Sequence, residues 1–176
     1  MSSGDIDDFL GPSAELERLI ATHADLRQYL EWARANIEIV RAECPYTGGI
    51  STDLKVAFID PRLNTILADT DIIRAPVTHE FTEGGLRKFC QIGIDYAEDP
   101  RGHRLANRAE YNVVMEILGP VFPGPTDDPW SIYDDFMDTQ VRKIEKLPLT
   151  KVDPRLWLYP YESDPEMIRR IREAQQ

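Results

Sequence analysis

Proline sets where helices can begin and end in this chain, because it has no backbone N–H and is tolerated only in a helix's first turn. Asp-Pro pairs at 99–100, 128–129 and 164–165 carry the order that a helix start uses, a capping carboxylate followed by proline, while the pair at 60–61 stops a strand in a turn. Gly119-Pro120-Val121-Phe122-Pro123-Gly124-Pro125 admits no helix and predicts a rigid connection. The apolar pattern has to fit between these breaks.

From Pro12, Leu16, Leu19, Ile20, Leu26, Leu30, Ala33, Ile37 and Val40 recur at three- and four-residue steps. This predicts one long helix to about Glu43, or two joined near His23. Cys44-Pro45-Tyr46-Thr47-Gly48-Gly49 breaks it. Leu54 to Ile59 alternates as a strand does and stops at Asp60-Pro61, and Asn64 to Leu67 predicts a second strand, giving a hairpin. Helices follow from Ile73 or Pro76 to Cys90, from Pro100 to Leu118, and from Asp128-Pro129 to near Leu147, with a short polar one from Asp164-Pro165. Gly84-Gly85 lies inside the first of these, where each glycine costs about 1 kcal/mol relative to alanine. The pair therefore implies close approach of another backbone, or room for a ligand. Trp157 to Tyr161 is an aromatic segment expected to pack across the domain.

A length of 176 residues with 42% apolar content is enough for one buried core. The formal net charge of −11, from 31 acidic and 20 basic residues, gives no general attraction for phosphate or anionic lipid. Neither nucleic acid nor a membrane is an expected partner. Residues 1–9 lack the basic and apolar regions of a signal peptide, and no apolar run approaches the roughly 18 residues that cross a bilayer. Cys44 and Cys90 are expected to be reduced, and the protein to be cytoplasmic.

Two of the three histidines fall between Pro76 and Glu110. Residues four apart on a helix share a face, so His79 and Glu83 point together while Glu80 projects about 100° away. The same face carries Leu86 and Cys90, which turns an ionisable pair toward the core, where a carboxylate demands a counter-charge. On the next helix His103, Asn107 and Glu110 share a face, and the short link predicts antiparallel packing that brings His103 opposite His79 and Glu83. Two imidazoles and one carboxylate, with water in the fourth place, make the donor set of catalytic zinc.

With these residues the chain resembles the zincin metallohydrolases over about 35 positions. His79-Glu80-x-x-Glu83 followed by His103 offers the donors of the gluzincin branch in a changed order, with HExxE where that branch has HExxH. The resemblance implies Zn2+ held by His79, Glu83 and His103, with Glu80 as general base. It also implies Asn107 or Glu110 as a partner orienting His103, or as an additional ligand. The expected fold is a mostly helical α+β domain over 12–176, after a flexible tail over 1–11, with a small β hairpin or sheet beside the metal-site helices. The expected function is metallopeptidase-type hydrolysis of a peptide or amide by metal-activated water. The alternative is a non-enzymatic interaction protein with a structural or vestigial metal on a zincin-like scaffold.

Other features favour plainer roles. His23 has no carboxylate at a ligand spacing on its inward side. Arg101, Arg104 and Arg108 suit a solvated face or acid pairing, and Asp134, Asp135 and Asp138 lack EF-hand spacing and suit a charged helix surface. Trp157, Tyr159 and Tyr161 have no interleaved basic residues and suit packing rather than base stacking. There is no serine or cysteine nucleophile motif and no phosphate-cradling glycine loop.

Overall fold

In a computed structural model that describes residues 26–44, 48–63, 72–91, 100–124, 128–150, 152–155 and 165–174, the chain is α+β and mostly helical. Its elements are α1 (Leu26–Asn36), β1 (Glu38–Arg41), β2 (Gly48–Ile50), β3 (Val56–Ile59), α2 (Arg74–Cys90), α3 (Pro100–Leu118), α4 (Pro129–Glu145) and α5 (Pro165–Ala174). The expected tail over 1–11, His23, the strand expected at 64–67 and the segment 157–161 lie outside the described residues.

β3 is the centre of the sheet, with strand order β1-β3-β2 among the described residues. β1 pairs with it in parallel, from Glu38 opposite Val56 to Arg41 opposite Ile59. β2 pairs antiparallel, from Gly48 opposite Ile59 to Ile50 opposite Ala57. All four residues of β3 are buried, as a strand covered on both faces requires. Ala57 packs with Ala33, Ile37, Ile50 and Phe81 on one side, while Val56 and Phe58 pack with Ala42, Cys44, Val152 and Ile171 on the other.

Two sequence expectations fail here. The first helix does not continue to Glu43: it ends at Asn36, and Glu38–Arg41 is a strand. Ile37, Ile39 and Val40 are β-branched residues that fit a pleated surface better than a helix end, and β3 supplies the pairing partner. Gly48-Gly49, expected only as a break, is the start of β2, which pairs antiparallel with β3. A Cβ on Gly48 would lie 3.1 Å from Glu80 Oε1 and 3.3 Å from Phe58 O, so the missing side chain lets the strand lie close against α2.

The glycine pair in α2 has the close approach its cost implied. A Cβ on Gly85 would sit 2.5 Å from the Tyr29 Cβ of α1, and one on Gly84 would sit 2.6 Å from Ile50 Cδ1 and 2.9 Å from Ile37 Cδ1. α2 and α3 run antiparallel: Arg74, His79 and Glu83 meet Glu116, Glu110 and His103 in that order. α4 starts where expected, with Asp128 accepting from Trp130 N and Pro129 in the first turn. Trp130, Tyr133 and Phe136 then pack α4 against Ile72, Ala75, Val114 and Leu118. Cys44 and Cys90 are free thiols, and no helix among the described residues is long and apolar enough to cross a membrane.

Candidate metal centre

One turn of α2 puts His79 and Glu83 side by side, with His79 Nε2 3.1 Å from Glu83 Oε1. From α3, His103 Nδ1 reaches the same Glu83 oxygen at 2.8 Å. The His79 and His103 rings meet edge to face with centroids 4.7 Å apart. On the far side of His79, Nδ1 lies 2.8 Å from Glu110 Oε2. The other Glu110 oxygen accepts a short hydrogen bond from the buried Tyr133 hydroxyl of α4. A single chain of contacts thus runs Tyr133, Glu110, His79, Glu83, His103 across three helices.

The charges follow from this closure. Burial opposes protonation of His79, but the Glu83 charge and the hydrogen bonds to Glu110 and Glu83 outweigh it and hold the ring well above the usual histidine range. Burial also opposes ionisation of Glu83, yet the His79 charge and the His103 hydrogen bond pull its carboxyl down to about 2. Glu80 goes the other way: burial first, then the Glu83 charge, push it up to about 8, with His79 opposing and Glu110 adding to the rise. Burial and Glu110 likewise raise Tyr133, which stays a hydroxyl donor.

The donor groups of His79, Glu83 and His103 all lie within 4.8 Å of one another. Ligands at 2.0–2.2 Å from a tetrahedral zinc sit about 3.3 Å apart, so the spacings of 2.8 and 3.1 Å to Glu83 Oε1 are already close to two edges of that polyhedron. A cation fits by replacing the protons that now join the imidazoles to Glu83. His79 meets a further requirement of such sites, since its remote nitrogen is oriented by a carboxylate.

Beside the cluster is a pocket of about 300 Å³, lined by His79, Glu80, His103, Asn107 and Glu110 and closed by Gly48, Pro76 and the α4 residues Trp130, Tyr133, Asp134, Met137 and Val141. Every sequence-predicted site residue except Glu83 lines it, and Glu83 joins the two histidines behind it. One role differs from expectation. Glu110 orients His79 rather than His103, because antiparallel packing sets the C-terminal half of α3 against the N-terminal half of α2. Asn107 lines the pocket without a hydrogen bond to His103. Tyr133 was missed, and Asp134, expected on a charged helix surface, is half-buried and lines the pocket; their place beside the apolar stripe Phe136, Met137 and Val141 was the available signal.

A scan against protein-family models finds no match for this chain, and neither do searches of curated proteins and of solved structures. The function of the cluster therefore rests on its own chemistry.

Proposed function

We propose that the chain is a zinc-dependent hydrolase of metallopeptidase type, with Zn2+ held by His79, Glu83 and His103 and with Glu80 as general base. The observation that carries this is the convergence of two imidazoles and a carboxylate from antiparallel helices, with His79 braced from behind by Glu110. When bound in such a site, zinc supplies Lewis acidity and a water whose pKa falls to about 7. Glu80 faces the same pocket, where its carboxylate would serve as the general base for such a water. A divalent charge in the cluster opposes the repulsion from Glu83 and Glu110 and favours the Glu80 carboxylate this task needs. Asn107, buried and facing the pocket, donates its amide N–H to the substrate carbonyl. Gly48 lies on β2, an edge of the sheet among the described residues, and gives an extended peptide a place to lie beside the pocket it lines. This keeps the zincin resemblance, with HExxE for HExxH, and a cytoplasmic setting in which Cys44 and Cys90 remain thiols.

The second reading, an interaction protein with a structural ion, requires a closed set of four protein ligands. Glu110 is the available fourth ligand, but it is engaged by His79 Nδ1 and by Tyr133, which favours an open position and hence catalysis.

Elemental analysis of the purified protein, run with a pool of internally quenched peptides as substrate, tests the proposal. One zinc per chain in wild type and Glu80→Gln, lost in His79→Ala and His103→Ala, with cleavage only by wild type, is the expected result. Ion-free protein that takes up no zinc when refolded with excess metal would end both readings. Stoichiometric zinc without any hydrolysis would favour the structural one.

A further inference from the structure

Once the zinc donors, the base and the Glu110–Tyr133 brace are assigned, one carboxylate in the pocket has no role. Asp134 lines the pocket from α4, and Met137 and Val141 follow it at three- and seven-residue steps along the same helix face. The other acids of this run are placed differently: Asp138 pairs with Arg142 at 2.8 Å, and Asp135 is exposed. Asp134 has no hydrogen bond or ion pair among the described residues. Partial burial, then the charges of Asp135, Asp138 and Glu110, push its carboxyl above the ordinary range, so a nearby positive charge would relieve it.

A second group in the pocket also lacks a partner. Asn107 is 4% exposed, yet its side-chain amide makes no hydrogen bond among the described residues. Its amide is not among the fully enclosed polar atoms that lack a partner, so it opens into the pocket and is available to a ligand there. The pocket thus brings together the Asn107 amide, the Asp134 carboxylate and the apolar side chains of Met137 and Val141, beside the Glu80 and Glu110 carboxylates already assigned.

We infer that the pocket takes a substrate bearing an ammonium or guanidinium group, with Asp134 as the specificity-determining residue that meets the charge. Met137 and Val141 flank the apolar stem behind it, the arrangement that suits a long side chain with a charged head. The chain's net charge of −11 assists the approach of such a substrate. The inference deepens the hydrolase proposal and depends on it for cleavage, but not for binding. The charge comes either from a basic side chain or from a free amino terminus, and the test separates the two.

The probes are Nα-acetyl-lysine amide, with a side-chain cation; norleucine amide, with a free α-amine; and Nα-acetyl-norleucine amide, which is neutral. Each is titrated at pH 7 into the full-length zinc-treated protein, following the indole N–H signal of Trp130, with zinc content measured on the same samples. The expected result is that at least one cationic probe binds about tenfold more tightly than the neutral one, as one charge-assisted hydrogen bond allows. The tighter cationic probe identifies the source of the charge. Asp134→Asn abolishes the preference with zinc content unchanged, while Asp135→Asn keeps it. Equal binding of all three probes to wild type overturns the inference whatever the variants do, and so does a preference that survives Asp134→Asn. Protein without zinc that still prefers the cation overturns the hydrolase proposal alone.

Discussion

His79 Nδ1 and Glu110 Oε2 meet at 2.8 Å across the α2–α3 interface, and the remaining Glu110 oxygen accepts from Tyr133 on α4. One carboxylate thereby fixes the ring orientation of His79 and ties three helices together. Partners of this kind change the affinity of a metal site about 10- to 100-fold when removed. Glu110→Ala is expected to weaken zinc binding by that amount, measured by competition with a fluorescent chelator. Tyr133→Phe, which leaves the carboxylate against His79, is expected to weaken it less. Equal losses in the two variants would mean that Tyr133, not Glu110, sets the geometry.

Glu80 predicts a pH dependence in the ion-free protein. Its carboxyl titrates at about 8 when folded, against an ordinary value of 4.5. Between those values the folded state holds a proton that the unfolded chain releases. The stability this group contributes is therefore full below pH 4.5 and is lost as pH rises through 8. Glu80→Gln removes the titration. From pH 5 to pH 8.5 the wild type is expected to lose roughly a few kcal/mol relative to Glu80→Gln, read from urea unfolding after chelation. A parallel course for the two proteins would mean that Glu80 is ionised in the folded state even without a cation.

What could be read from the sequence is what neighbouring residues decide. The starts of α3, α4 and α5 were legible because an aspartate cap and a first-turn proline are local signals. His79 and Glu83 were legible as a pair because a single helix turn relates them. β1 was not, since Ile37 and Val40 fit a helical step as well as a strand, and only the pairing with β3 decides between them. β2 begins on two glycines that carry no side-chain pattern; the value of Gly48 lies in the room it leaves for Glu80 and Ile59. The partner of Glu110 depends on the offset between α2 and α3, and Tyr133 and Asp134 reach the pocket from beyond a proline-rich connection. None of those offsets is encoded by spacing along one helix.

The glycine pair in α2 offers a contrast between two adjacent positions. Alanine at either gains about 1 kcal/mol of helix propensity. At Gly84 the new methyl meets Ile50 Cδ1 and Ile37 Cδ1, the mobile tips of long side chains. At Gly85 it meets Tyr29 Cβ at 2.5 Å and Tyr29 Cα and O at 3.1 Å, which move only with the whole of α1. Overpacking against backbone costs about 1–3 kcal/mol or more. Gly85→Ala is expected to be clearly destabilising in thermal or urea unfolding, and Gly84→Ala much less so. The reverse order would mean that α1 moves more easily than the side chains beneath it.

Asp60 and Arg62 form the most buried ion pair outside the metal centre among the described residues. Asp60 is wholly buried; one of its oxygens accepts from Cys44 N at 2.9 Å and Arg62 Nη2 at 2.7 Å, and the other from Arg62 N at 2.7 Å and Nε at 3.0 Å. Arg62 continues to the carbonyl oxygens of Cys44 and Pro148, so the pair joins the end of β3 to the segments after β1 and α4. Breaking a buried pair from one side leaves the other charge without compensation and costs about 3–5 kcal/mol, whereas replacing both charges by apolar groups is far milder. Asp60→Leu and Arg62→Met are each expected to lower urea-unfolding stability by about that amount. The double variant is expected to be less destabilised than the sum of the two, by about 1–3 kcal/mol of coupling. The Cys44 N–H loses its acceptor whenever Asp60 is replaced, so the double variant stays below wild type. Strict additivity would show that Arg62 acts through its two carbonyl contacts and through Glu43, 3.8 Å from its Nη1, rather than through the charge of Asp60.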